Sequence, residues 1–235
     1  MSTTYKRKSV ARDIRRGVAA ATAAQSIGLI EHGCEIFGLN KGQFSLVDII
    51  SHCLAATGPA DVLISTWTAA GADLGFAYEL LKSGQIRSLR FVVDFSFPTR
   101  QPEYCAALRE RFGDDCIRVT KTHAKFVTIR NDAWDLVVRS SMNLNENRRL
   151  ESFEISDHAG MADFLRGVVR ELFECQAVGE GFTNRPFDNV KQFEGFLEGG
   201  DVAGMDLAAS TDTRRFFGDG RYDPDLRRTG RQVVA

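Results

Sequence analysis

The feature that most constrains this chain is an alternation. Compact apolar, β-branched runs at 61–68, 88–96 and 116–122 are separated by helical patterns at 71–83 and 103–112. Runs of that length without a polar face read as buried strands. Strands that alternate with helices call for crossover connections, and crossovers give parallel pairing. The predicted fold class is α/β, a mixed, largely parallel β-sheet flanked by helices. Punctuation agrees: Gly58-Pro59 ends an amphipathic stretch over 44–56, Gly84 closes the next helical pattern and Gly113 the one after it. Two further strands, 125–129 and 134–139, are joined by the polar turn Arg130-Asn131-Asp132. A helix over 160–175 follows, with Met161, Phe164, Leu165, Val168, Val169 and Leu172 on one face.

The segments on either side differ in character. Residues 9–37 are Ala-rich, contain no proline and read as helix, with a break at Asn40-Lys41-Gly42. After Cys175 the periodicity fades and glycines punctuate the chain. The expected organisation is an N-terminal basic helical segment over 1–40, an α/β domain over 41–176 and a C-terminal appendage over 177–235. The appendage carries Phe182, Phe187, Phe193 and Phe196, which suit docking onto a partner surface.

With 43% hydrophobic and 26% charged residues, the 235-residue chain has the composition of a globular protein with a real core, which excludes collagen-like and wholly disordered readings. No apolar run approaches the roughly 20 residues of a membrane span. A net charge of −1 hides an uneven distribution: residues 1–16 carry six basic side chains, Lys6, Arg7, Lys8, Arg12, Arg15 and Arg16, against Asp13. The last 25 residues hold six arginines against four aspartates. Basic ends around a neutral-to-acidic middle suit a polyanionic partner, although solvated termini look the same. The five cysteines are scattered, without a C-x-x-C pair, and read as reduced thiols of a cytoplasmic protein. The basic stretch before 18–30 loosely imitates a secretory leader, but Thr22, Gln25 and Ser26 interrupt its apolar part.

The chemistry concentrates between Thr122 and Glu154. His123 and Lys125 stand two apart, and on a strand such residues share a face. Ser141 and Asn143 form a second polar pair at the carboxyl end of the next strand, where open α/β sheets place ligands. An ammonium, an imidazole, a hydroxyl and an amide brought together suit a phosphate group: the cation and amide hold its oxygens, and the imidazole attacks phosphorus or moves a proton. His32, His52 and His158 show no metal-ligand spacing, and 38–42 lacks the order of a phosphate-binding loop. Trp67 and Phe95 end strands at the same sheet edge, as core aromatics or as walls of the cleft.

This segment resembles the phospholipase D superfamily, whose signature is H-x-K, then an Asp, then G-S-x-N. The matching residues are His123-Ala124-Lys125 and Ser140-Ser141-Met142-Asn143, with Glu151 as the downstream acid. The strand and helix order over 45–175 fits as well. Two positions depart: Arg130 stands where the Asp is expected, with Asp132 the nearest substitute, and Ser140 replaces the glycine. The resemblance implies a metal-independent phosphodiesterase in which one His forms a phosphohistidine and a second protonates the leaving oxygen. It also implies that Lys125 and Asn143 hold the phosphate, with Ser141 and Glu151 (or Glu154) in support. With one motif copy per chain, two subunits would meet across a two-fold axis to bring both His123 side chains to one phosphate. The expected substrate is nucleic acid, DNA in particular, with Arg7, Lys8, Arg12, Arg15 and Arg16 adding phosphate contacts. A non-catalytic nucleic-acid-binding module and a phospholipid or small-diester hydrolase are the alternatives.

Overall fold

The computed structural model describes residues 13–16, 22–145 and 149–182. Eight strands form one sheet: β1 (Asp13–Arg16), β2 (Glu35–Asn40), β3 (Ala60–Thr66), β4 (Ile86–Asp94), β5 (Ile117–Thr120), β6 (Phe126–Arg130), β7 (Asp135–Ser140) and β8 (Glu151–Asp157). Their order across the sheet is β1-β2-β8-β7-β6-β3-β4-β5. The helices are α1 (Ala23–Ile27), α2 (Leu46–Thr57), α3 (Gly71–Lys82), α4 (Phe97–Arg100), α5 (Pro102–Phe112) and α6 (Ala159–Cys175).

Strand alternation divides the core into two layers. Val62, Ile64, Phe91 and Val93 point to the face covered by α1, α2, α3 and α5, while Leu63 and Val92 point to the other face, against Val169, Leu172 and Phe173 of α6. Capping places the helices. Thr22 with Gln25 and Ser45 with Asp48 form reciprocal capping boxes at α1 and α2.

The mixed α/β sheet has the predicted class, and its parallel part is local. β3, β4 and β5 pair in parallel through the α3 and α5 crossovers, and β1 pairs in parallel with β2. The four pairings from β2 through β8, β7 and β6 to β3 are antiparallel. The short turn after β6 explains part of this: Asn131 Oδ1 accepts from the amides of Ala133 and Trp134, both at 3.0 Å, so the chain reverses within four residues.

The helix expected over 9–37 does not form. β1 and β2 occupy its two ends, and α1 is five residues long. Helix propensity is a weak force beside strand pairing and glycine stops. Gly28 and Gly33 take φ of 73° and 74°, which ends the helix and turns the chain into β2. β2 then pairs with β8 along its whole length, so residues 35–40 belong to the same sheet as the motif strands. In that pairing Gly38 faces Phe153, whose ring lies over it; a Cβ on Gly38 would stand 2.1 Å from Phe153 Cζ.

At the other rim, Gln176 finishes the sheet. Its side-chain amide accepts from the Val119 amide at 2.9 Å and donates to the Val119 carbonyl at 2.7 Å, taking the place of a neighbouring strand. Phe182 packs against the domain's own core beneath the Arg109 guanidinium, 4.5 Å from its ring, rather than presenting itself to a partner. Arg7, Lys8, Arg12, Phe187, Phe193 and Phe196 lie outside the described residues. No described helix is long and apolar enough to cross a membrane.

Candidate functional site

Strand direction brings the motif residues to one edge. β3, β4 and β5 all end there at Thr66, Asp94 and Thr120; β6 and β8 begin there, and β7 ends there. The H-x-K loop, the S-x-N loop and Glu151 therefore meet at the carboxyl ends of the parallel strands.

His123 and Lys125 precede β6 instead of lying on it, so strand alternation is not what brings them together. Lys125 Nζ folds back to donate to the His123 carbonyl at 2.9 Å and stands 3.3 Å and 3.4 Å from the two ring nitrogens. The loop beneath them is fixed on three sides. Thr122 donates its amide to Asp94 at 3.1 Å, Ser65 donates its hydroxyl to the Ala124 carbonyl at 2.9 Å, and the Lys125 carbonyl accepts from the Ser140 amide at 3.2 Å. The His123 ring is exposed. Partial burial lowers the pKa of Lys125 from the ordinary lysine value, and the Glu151 charge opposes that shift.

The S-x-N loop is held from β8 and β3. Ser140 donates to the Ser152 carbonyl at 2.8 Å and accepts from the Met142 amide at 2.9 Å. That hydroxyl thus ties the turn. Ser141 donates to Glu151 and accepts from the Ser152 amide. The Leu144 amide reaches Thr66 Oγ1 and the Thr68 carbonyl, both at 3.2 Å, which carries Asn143 across the end of β3. Asn143 Oδ1 is buried and finds no hydrogen-bond partner among the described residues. As an acceptor, that oxygen calls for a donor; contact with a phosphate oxygen would fall to the Asn143 Nδ2 group. Glu154 is committed to Arg139, its cross-strand neighbour, so of the two acids Glu151 is the one acting on Lys125. A surface depression of about 500 Å³ lies beside Lys125, lined also by Arg139, Ser141, Glu154 and Leu165.

Arg130 and Asp132 sit at the opposite end of β6 from the H-x-K loop. Arg130 pairs with Asp135 at 2.9 Å and Asp163 at 2.6 Å, tying β7 and α6 to its strand. Arg130→Asp would set three carboxylates together, with Asp135 and Asp163. The expected result is a loss of about 1 kcal/mol in a denaturant melt and no gain in activity, since partly exposed ion pairs are individually weak.

Sequence reasoning gave too little weight to three groups. Trp67 is no core aromatic: its ring meets His123 edge-on at 5.6 Å, with the Arg100 guanidinium 3.6 Å from its centre. Asp94 anchors both Thr122 and Ser96, and the only signal for it is a carboxylate closing the apolar run Phe91-Val92-Val93. The other histidines are structural: His32 stacks on Trp134 at 3.7 Å, His52 bonds the Gly28 carbonyl at 2.8 Å and His158 caps α6. Among the described residues no group of three His, Cys, Asp or Glu side chains is placed to hold a metal ion. An imidazole beside an ammonium, with a hydroxyl–carboxylate pair and a side-chain amide at the same sheet edge, can hold a phosphate group and attack its phosphorus.

The sequence matches no family model and no curated protein. Among solved structures the fold is similar to a polyphosphate kinase from Porphyromonas gingivalis, at 14% identity and a TM-score of 0.45, over 62% of this chain but 27% of that one. It is also similar to Nuc, a phospholipase D family member from Salmonella typhimurium, at 12% identity and TM-score 0.44, over 60% of this chain and 93% of that one. NucT from Helicobacter pylori is similar at 13% identity and TM-score 0.42, over 60% and 96% of the two chains.

Proposed function

We propose that the chain is a phospholipase D-like phosphodiesterase acting on nucleic acid, DNA in particular, as a homodimer and without a metal cofactor. The observation that carries this reading is the Lys125 ammonium held against the exposed His123 ring at the sheet edge. There an anionic phosphate meets a cation and a nucleophilic nitrogen together.

In the proposed reaction a His123 ring nitrogen attacks phosphorus. The P–N bond forms as the P–O bond to the leaving group breaks, and the departing oxygen takes a proton from His123 of the second subunit. Lys125 and Asn143 hold the non-bridging oxygens as charge builds on them. Ser141, fixed by Glu151, braces the loop that carries Asn143. Water activated by the second His123 then attacks phosphorus, the P–N bond breaks, and the free imidazole returns. β1 also ends at this edge, with Arg16 opposite Leu39 in register.

The test is a reaction with labelled DNA in excess chelator, quenched in alkaline detergent. A base-stable, acid-labile phosphoenzyme that is absent in His123→Ala is expected. Cleavage that chelator abolishes would overturn the reading, and salt-dependent binding without a phosphoenzyme would replace it with a non-catalytic nucleic-acid-binding module.

A pH dependence follows from the site's electrostatics. Phosphate binding needs Lys125 protonated, and burial lowers its pKa, so activity should fall on the alkaline side before an ordinary lysine titrates. The Glu151 charge raises that pKa. Glu151→Gln is therefore expected to move the alkaline limb of the kcat/KM profile to lower pH; a shift to higher pH would contradict the assignment.

A further inference from the structure

We propose that the ends of β3, β4 and β5 form a stacking track for a single strand of nucleic acid leading to His123, a deepening that rests on the function proposed above. The residues immediately after these three neighbouring strands are Trp67, Phe95 and Lys121. Adjacent strands lie about 4.8 Å apart, so the three residues share one sheet edge, Phe95 level with Lys121 and one position beyond Trp67 in register. Each aromatic ring has its own cation: the Arg100 guanidinium is 3.6 Å from the centre of the Trp67 ring, and Lys121 Nζ is 5.6 Å from that of Phe95. The row continues to the site, because Trp67 meets His123 at 5.6 Å.

The geometry is built rather than incidental. Arg100 donates to the Trp67 carbonyl at 3.0 Å and to Ser96 at 2.9 Å, which fixes the guanidinium on the indole face. Asp94, the acid beneath the rim, is buried and accepts from the Ser96 and Thr122 amides, which fixes the backbone on either side of Phe95 and Lys121. Phe95 is 40% exposed. Rings alternating with cations serve unpaired bases: rings take base faces, cations take the phosphates between them. A duplex hides its base faces, and a bare polyanion has none. The track therefore selects single strands over both.

The chain has two tryptophans, and Trp134 is stacked on His32, on a turn at the opposite end of β6 and β7 from His123. In full-length protein carrying Trp134→Phe and His123→Ala, emission reports Trp67 alone and no turnover occurs. Titration with a dodecameric oligo-dT is expected to quench that emission, with the matching duplex and inorganic polyphosphate quenching far less. Phe95→Ala and Lys121→Ala should each weaken oligo-dT binding about tenfold, and Phe95→Tyr should retain it. Equal quenching by duplex or polyphosphate, or unchanged affinity in folded Phe95→Ala and Lys121→Ala, would overturn the track. Failure of the enzymatic reading is seen separately, as a missing phosphoenzyme in protein whose Trp67 is still quenched by oligo-dT.

Discussion

His123→Ala is expected to lower kcat for DNA cleavage by about 10⁴-fold while changing the Kd for DNA by less than about threefold, since loss of a nucleophile removes a step and not a binding contact. The asymmetry is what identifies the role. A His that merely braced the loop would, on removal, disturb Lys125, whose ammonium rests on the His123 carbonyl and ring, and binding would suffer with turnover. Lys125→Met should show the converse weighting, a rise in KM accompanying the fall in kcat. The proposed dimer adds a second check. Mixed with excess His123→Ala subunits, wild-type chains end up in dimers holding a single imidazole, and the rate per wild-type subunit should fall toward that of the variant. An unchanged rate per wild-type subunit would mean that one chain suffices.

Gly38→Ala should be the most damaging small change in the fold, at about 3 kcal/mol by urea unfolding. The added methyl has nowhere to go: three atoms of the fully buried Phe153 ring lie within 2.8 Å of its position. Phe153→Ala alone is expected to cost about 3–5 kcal/mol through the cavity it leaves. The two losses should not add. With the ring gone, the alanine at 38 fits, so the double variant should lie well above the sum of the singles, whereas additive losses would place the strain elsewhere.

The parts of the fold legible in the sequence are those whose burial is complete. Val62-Leu63-Ile64 and Phe91-Val92-Val93 are apolar on both faces, which only a strand between two helical layers satisfies. β8 escaped because just Phe153 and Ile155 alternate with polar residues along it, too short a pattern to register. β1 and β2 escaped because the alanines between them argue for helix locally, while β8, the strand that pairs with β2, lies more than a hundred residues away. At the candidate site, residue types two apart marked His123, Lys125, Ser141 and Asn143. The choice of Glu151 over Glu154 needed the Arg139 pairing, and Trp67 needed the crossing of loops over β3. No spacing rule carries either.

The amide of Gln176 has a consequence for assembly. By occupying both main-chain groups of Val119 it leaves that rung of the outermost strand nothing to offer a newcomer, so two sheets cannot zip into one continuous ribbon there. A symmetric pair formed at this rim would rely on side chains instead, and a pair of that kind is free to set one nucleophile opposite the other. Gln176→Leu would reopen the rung and invite concentration-dependent fibre growth.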